Sequence, residues 1–257
     1  MLVTSIRPQL NSVSLSGTYD KQQRTAEFPD FNNIPRVGDL IQMNGILVKG
    51  EHRRVLMVKS WKLIPATAAN IFEFIKRAKA FKSVLNNRQV KALHKAYSAF
   101  PRRLIAAMSG NRTAELERVV GCFITAAKLE RAWAVHILEL KAVHYLTKYN
   151  LNPQEALAMV DLHNLTTIEV VEANPYALMP VIGFERVDAI CMKNGLDEFD
   201  PQRLAALGNW LARKHTQETG SSLFSEQDLS IGAQEYGVDT RSIIYESKRS
   251  GVMIING

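Results

Sequence analysis

Residues 174–196 read NPYALMPVIGFERVDAICMKNGL, and the fold of the chain is decided there. An apolar run closes a short turn at Val181-Ile182-Gly183. Beyond it, apolar residues return at Phe184, Val187, Ile190 and Cys191, the spacing of one buried helix face. The stretch is therefore a helix, a tight hairpin and a second helix. Such a unit can aim the unpaired N–H groups of a helix N-terminus at a phosphate, so nucleic acid is the first ligand class to weigh against the rest of the chain.

Toward the N-terminus the same shape returns. Val84-Leu85-Asn86-Asn87 is a short turn between a helix expected over Thr67 to Leu85 and another over Arg88 to Phe100. Val119-Val120-Gly121 precedes a helix running toward Trp133, and Asn150-Leu151-Asn152-Pro153 precedes one over Gln154 to Val160. The interval from Leu85 to Leu151 is close to that from Gly121 to Gly183. Each half places an apolar helix, FPRRLIAAM or TIEVVEANPYALM, between its hairpins, so the pattern is an internal repeat. A long helix from Ala126 to Tyr149, with Leu129, Trp133, His136, Leu140, Val143 and Leu146 on its apolar side, links the halves.

Residues 1 to about 64 read instead as short strands. VGDLIQMNGILVKG and RRVLMVKSWKLI flank a turn at Gly50-Glu51-His52, a hairpin signal stopped by Pro65, and SVSLSGTYD and RTAEFPDF are further strands. About five short strands in this length predict a small barrel of the OB type, with a generic β-sandwich fragment as the alternative. At the other end, Pro201 opens a helix to about Glu218, which Gly220 ends. Ser225, with Glu226 and Asp228, caps a helix through Tyr236; Gly237 stops it, and Val238-Asp239 begins another to about Lys248. The tail SGVMIING reads as a strand, giving a winged-helix-like outline. The expected fold is α+β and mainly α: an OB-like barrel over 1–65, a basic helix-hairpin-helix domain over 66–148, an acidic one over 149–198 and a winged-helix-like segment over 199–257.

The 257 residues carry a net charge of +7 with 46% hydrophobic content, which fits a soluble chain whose partner is anionic, either nucleic acid or an anionic membrane surface. No apolar run approaches a membrane span and the N-terminus lacks a signal-peptide pattern, so no membrane role and a cytoplasmic location are expected. Cys122 and Cys191 sit among apolar neighbours and read as buried structural thiols. The six histidines are scattered without metal-ligand spacing; His136 and His144, on the long apolar helix, read as packing residues. No metal and no cofactor are expected.

The charge is unevenly placed. From Phe74 to Ala114 there is no Asp or Glu, while Lys76, Arg77, Lys79, Lys82, Arg88, Lys91, Lys95, Arg102, Arg103 and Arg112 all fall inside. A solvated helix normally mixes signs, so this stretch predicts an anionic partner, with phosphate backbone weighed against a merely solvated face and an acidic protein patch. Asn86, Asn87 and Arg88, at the start of the following helix, complete the candidate DNA-binding set. Between Leu151 and Ala205 the acids outnumber the bases Arg186, Lys193 and Arg203, so the hairpin at Val181 to Gly183 is expected to pack or dock instead. Arg53, Arg54 and Trp61 are a second candidate surface, although Trp61 reads first as barrel core.

In this order of parts, EANPYALMPVIGFERVDAI (172–190), VGDLIQMNGILVKGEHRRVLMVKSWKLIPAT (37–67) and GSSLFSEQDLSIGAQEYGVD (220–239) resemble the region N-terminal to the motor in RecD-like DNA helicases. The resemblance implies a non-catalytic DNA-binding and scaffolding region that contacts single-stranded or junction DNA. Its departures also carry meaning. Val181 stands where the family has a glycine and Glu185 where a lysine is common, which argues against DNA contact there; Asn86 takes a glycine position at the first hairpin, which Asn tolerates better than most residues. No G-x-x-x-x-G-K-[ST] occurs, so the chain carries no ATP-driven motor and no catalytic residues of one. The competing expectation is a docking module for a partner protein or for helicase motor domains.

Overall fold

The computed structural model describes residues 1–8, 12–19, 22–30, 33–49, 54–221 and 223–251. Met1–Leu165 forms one compact unit and Thr166–Gly257 another.

The first unit opens with five strands, β1 (Leu2–Pro8), β2 (Val13–Tyr19), β3 (Gln22–Phe28), β4 (Ile41–Lys49) and β5 (Arg54–Leu63), in the order β1-β2-β3-β5-β4. Period-two burial drives them: Val13, Leu15, Ala26 and Phe28 point inward, with half-exposed neighbours between. β3 and β5 run parallel and the other neighbours antiparallel. A bridge between Leu2 and Leu40, with Ile41 N–H donating to Met1 O at 2.9 Å, brings the start of β4 back to β1. This is an OB-like sheet closing on itself. Trp61 is barrel core, 6% exposed, its indole N–H donating to Asn33 O at 2.9 Å. The expected turn at residues 50–52 and Arg53 lie outside the described residues, as does the side chain of Arg54.

Helices follow: α1 (Ile71–Arg77), α2 (Lys79–Lys82), α3 (Asn87–Tyr97), α4 (Pro101–Ser109), α5 (Thr113–Val120), α6 (Phe123–Leu146) and, after a 3-10 turn over Thr147–Tyr149, α7 (Pro153–His163). The single helix expected over Thr67 to Leu85 is instead two, broken at Ala78 (φ −64°, ψ 135°). A Cβ on Gly38 (φ +99°) would lie 3.0 Å from Ala78 Cα and from Arg77 O, so the missing side chain lets the barrel loop pack closely against the break. Leu2 and Leu40 share one core with Ile71, Phe74, Phe81, Leu93, Leu104 and Leu129, so sheet and helices bury a common apolar interior. Arg36 extends the joint, its Nη1 and Nη2 donating to both oxygens of Asp161 at 3.0 and 2.6 Å, and Ile34 N–H donates to Gln154 Oε1 at 2.6 Å.

The second unit holds α8 (Thr167–Ala173), a 3-10 turn over Pro175–Leu178, α9 (Met179–Ile182), α10 (Phe184–Lys193), α11 (Pro201–Thr219), α12 (Glu226–Glu235) and α13 (Thr240–Arg249). The helix expected over TIEVVEANPYALM is interrupted at Asn174, whose side chain accepts from Tyr176 N–H at 2.9 Å and whose successor is proline. The other local signals hold. Pro201 is the first residue of α11, Gly220 ends it in the left-handed region, Ser225 and Asp228 form a capping box, and Asp239 caps α13. The tail expected as a strand lies, from 252 on, outside the described residues.

Candidate nucleic-acid interface

Two hairpins meet at one end of the first unit. At the start of α3, Asn86 Oδ1 accepts from Gln89 N–H at 2.9 Å while Gln89 Oε1 accepts from Asn86 N–H at 3.1 Å, a reciprocal cap that fixes the first turn. Gln89 Nε2 then donates to Val120 O at 3.3 Å, on the last residue of α5. Gly121 reverses the chain in the left-handed region (φ 77°, ψ 11°) and α6 begins two residues later. The α2–α3 turn and the α5–α6 turn are thus neighbours, joined by one side chain.

The opposite end of α3 is about 16 Å away, from 11 residues at the helical rise. There Tyr97 Oη and Arg103 Nε both donate to Glu115 Oε1, at 3.3 and 2.7 Å, and Arg112 lies 3.8 Å from the other oxygen. The Arg103 hydrogen bond and charge hold the Glu115 carboxyl below its ordinary range. The twelve candidate residues are therefore not one surface. Asn86, Asn87, Arg88 and Lys91 belong to the hairpin end; Arg102, Arg103 and Arg112 belong to the far end. Arg77 pairs with Glu73 at 3.2 Å, and Arg103 and Arg112 share Glu115, acids that stand at the two edges of the acid-free stretch. Lys76, Lys79, Lys82, Arg88, Lys91, Lys95 and Arg102 are exposed and form no ion pair among the described residues. Arg88, Lys91 and Lys95, spaced by three and four, make one stripe along α3.

The acid-free stretch ends at Glu115, and the cations of the second hairpin lie beyond it, so that stretch does not reveal them. Arg118, Lys128 and Arg131 are exposed on α5 and α6, and Lys128 and Arg131 continue the α6 face that starts at Ile124. Neither α3 nor α6 has an acid in its first turn. Cys122, expected to be buried, is exposed: it occupies the extended N-cap position of α6 (φ −156°, ψ 124°) and faces out of the turn, where backbone and side-chain hydrogen bonding from Thr125 lowers its thiol pKa. His136 packs as expected, 4.5 Å between ring centroids from Phe74, and burial lowers its pKa to about 4, while His144 on the same helix is exposed.

The hairpins of the second half are built alike but charged differently. At the α6–α7 turn Asn150 takes φ 58°, and Asn152 with Glu155 repeats the reciprocal cap of Asn86 with Gln89, placing a carboxylate at the N-terminus of α7. In the second unit Gly183 (φ 77°, ψ 160°) separates α9 from α10, and Glu185 stands in the first turn of α10. Asp188 and Arg203, counted from sequence among the surface charges, are an internal pair: Arg203 Nε and Nη2 donate to Asp188 Oδ1 and Oδ2 at 2.8 and 3.0 Å, Nη1 donates to Glu198 O at 2.7 Å, and Tyr176 Oη donates to Asp188 Oδ1 at 2.6 Å. Burial first, then the Asp188 hydrogen bond, pushes the Tyr176 phenol up. Phe184 stacks between Tyr176 and Trp210, at 5.9 and 5.1 Å. These groups assemble a core, not a ligand surface.

The two units divide the charge. Met1–Leu165 contains 24 Lys and Arg against 12 Asp and Glu, whereas Thr166–Gly257 contains 8 against 13. A cavity of about 400 Å³ in the first unit is lined by Arg36, Asp39, Lys79, His136, Glu139 and Asp161 among apolar walls. Among the described residues no group of three or more His, Cys, Asp or Glu could hold a metal ion, and no helix is long and apolar enough to cross a membrane.

An OB-like sheet followed by serial helix-hairpin-helix units defines the class. Residues 139–223, about one third of the chain, match the family model described as the ATP-dependent RecD2 DNA helicase HHH domain. That segment is similar to the RecD2 helix-hairpin-helix domain, and the match supports a RecD2-like helicase accessory region. The matched segment has 7 Lys and Arg against 11 Asp and Glu, so the family signature and the basic surface fall on different parts of the molecule.

Proposed function

We propose that this chain is a non-catalytic DNA-binding and scaffolding region of a RecD2-like helicase, and that the paired hairpin end of its first unit holds the phosphate backbone of single-stranded or junction DNA. The observation that carries this reading is the stripe Arg88, Lys91 and Lys95, exposed and free of ion pairs among the described residues, starting at a helix N-terminus that hydrogen bonds to the neighbouring hairpin. Lys128 and Arg131 extend the same charge along α6. Arg102, Arg103 and Arg112 lie at the far end, where Glu115 pairs with Arg103 and Arg112, and contribute little in this geometry.

Binding measured across a salt series tests the assignment. Log affinity should fall linearly with log salt, by about 0.7 per phosphate contacted on a single strand. Replacing Arg88 and Lys91 with Ala should flatten that slope by about one to two phosphates, and replacing Arg102 and Arg103 should leave it nearly unchanged. A flat slope in the unmutated chain removes the proposal. An equal effect from both pairs assigns the binding to bulk charge.

A second reading applies to Thr166–Gly257. Its acidic balance, with Leu223 82%, Ile231 60% and Tyr245 66% exposed, favours docking to protein over DNA. Helicase motor domains or a separate partner protein fit that role, and binding of purified motor domains to the chain, abolished by charged substitutions at Ile231 and Tyr245, is its test.

A further inference from the structure

The second hairpin of the basic unit carries a feature that backbone binding does not use. Phe123 and Ile124, the first two residues of α6, are 59% and 63% exposed, side by side directly after the Gly121 turn. Two adjacent large apolar side chains at the tip of a charged hairpin are unusual, because each leaves its apolar area in water while the core of the same helix begins only at Ala126. The surroundings say what covers them. Gln89 Nε2, bound to Val120 O at 3.3 Å, places the start of the Arg88–Lys91–Lys95 stripe beside this turn. On the same face of α6, Ile124 is followed at the helical repeat by exposed Lys128 and Arg131. Neither first turn contains an acid. An apolar tip at the head of the α6 cations and next to the start of the α3 stripe is complementary to a strand that offers phosphates beside an apolar, flat group, which is an unstacked nucleobase. A protein surface of neutral apolar character would leave the flanking cations unmatched. A regular duplex hides the faces of its bases, so it would engage the cations and leave the apolar tip uncovered.

We propose that Phe123, supported by Ile124, is a stacking platform for an unpaired base, and that it gives the hairpin end its preference for single-stranded over duplex DNA. The inference rests on the backbone-binding reading and adds to it the group beside the phosphates. Stacking on an aromatic face tolerates any base, so the platform selects for strand state and not for sequence.

The experiment compares two oligonucleotides of equal length on the 257-residue chain by fluorescence anisotropy, one of deoxythymidine and one with abasic sites in its centre, so that the phosphates are the same and only the bases differ. The unmutated chain should bind the deoxythymidine strand about tenfold more tightly, within the range that base–aromatic stacking supports. Phe123→Ala should bring that ratio close to one without changing the salt slope, and Phe123→Trp should preserve it. Arg88→Ala with Lys91→Ala should do the reverse, flattening the slope and keeping the ratio. Because Phe123 is exposed, the alanine variant should melt within about 1 °C of the parent, which separates a lost contact from a lost fold. A ratio near one in the unmutated chain, with a steep slope, overturns the platform and leaves the backbone reading intact. A ratio that survives Phe123→Ala also overturns it, as does a change of oligomeric state in that variant, which would show that a second copy of the chain covers the tip. A flat slope overturns the backbone reading itself.

Discussion

Arg203 and Asp188 meet through two parallel hydrogen bonds, Nε to Oδ1 at 2.8 Å and Nη2 to Oδ2 at 3.0 Å, with side chains only 5% and 9% exposed. The pair joins α10 to α11 and is completed by the Tyr176 hydroxyl and the Glu198 carbonyl, so nearly every polar atom of the cluster is satisfied. A fork of this kind fixes the relative placement of the two helices through geometry as well as charge.

Removing one partner leaves the other buried and uncompensated. Asp188→Ala should destabilise the second unit by about 3–5 kcal/mol, and Arg203→Met by a similar amount, read from urea unfolding. The double variant should cost clearly less than the sum, because no charge is then stranded. Additive losses would mean that the pair acts as two independent packing residues. Tyr176→Phe removes one hydrogen bond to a charged acceptor and should cost about 1.5–3 kcal/mol.

The repeated caps give a comparison within one molecule. Asn86→Ala and Asn152→Ala each remove an acceptor for the third amide of a helix, and each should cost about 1 kcal/mol. The two losses should be similar, because the Glu155 carboxylate and the Gln89 amide oxygen each accept from the backbone N–H of the cap residue, which alanine keeps. Thermal melting of the two variants checks that equality.

The elements legible in the sequence were those set by local chemistry. Pro201, Gly220, Ser225 and Asp239 mark helix ends through their own backbone preferences or their own side-chain oxygens, and the hairpins at Leu85, Gly121, Leu151 and Gly183 announce themselves by turn residues between apolar runs. What was hidden depends on distant chain. Gly38, forty residues earlier, packs against the break at Ala78, and no helix propensity announces that contact. Asp188 and Arg203 look like surface charges because their partnership exists only after α10 and α11 pack. The candidate surface was half legible: Arg88, Lys91 and Lys95 follow from helical spacing, but Glu115 pairs with Arg103 and Arg112 at the opposite end of α3, and Lys128 and Arg131 join the hairpin end only through the Gln89–Val120 bond.

Asp39 makes the first unit sensitive to pH. Its carboxyl is pushed up from 3.8 to about 6, mainly by burial, with Arg36 opposing and Asp161 adding to the shift, and burial pushes Glu139 in the same direction. The folded state therefore holds a proton that the unfolded chain releases near pH 4, so stability falls as pH rises from about 4 and levels off above about 6. For Asp39 the full difference is about 3 kcal/mol. Asp39→Asn, whose side-chain oxygen can still accept from Arg36 N–H, should be more stable than the parent at pH 8 and should show a weaker pH dependence, with the remaining slope from Glu139. Urea midpoints at pH 5 and pH 8 give the sign; a parent that gains stability over that interval would contradict it.

Gly121 and Gly183 close the two glycine hairpins with nearly the same φ, but they differ in ψ, and this separates their tolerance to substitution. Gly121 (φ 77°, ψ 11°) is in the left-handed region that asparagine also visits, whereas Gly183 (φ 77°, ψ 160°) is in a region open essentially to glycine alone. Neither has any atom within 4 Å of where a Cβ would stand, so the cost is conformational and not steric. Gly121→Asn should then cost under about 1 kcal/mol and leave DNA binding intact. Gly183→Asn or Gly183→Ala should cost about 1–3 kcal/mol, because the φ must change and carry Phe184 out of its stack with Tyr176 and Trp210. Equal losses at the two positions in urea unfolding would show that the turn at Gly183 relaxes without disturbing Phe184, and tryptophan fluorescence from Trp210 reports that directly.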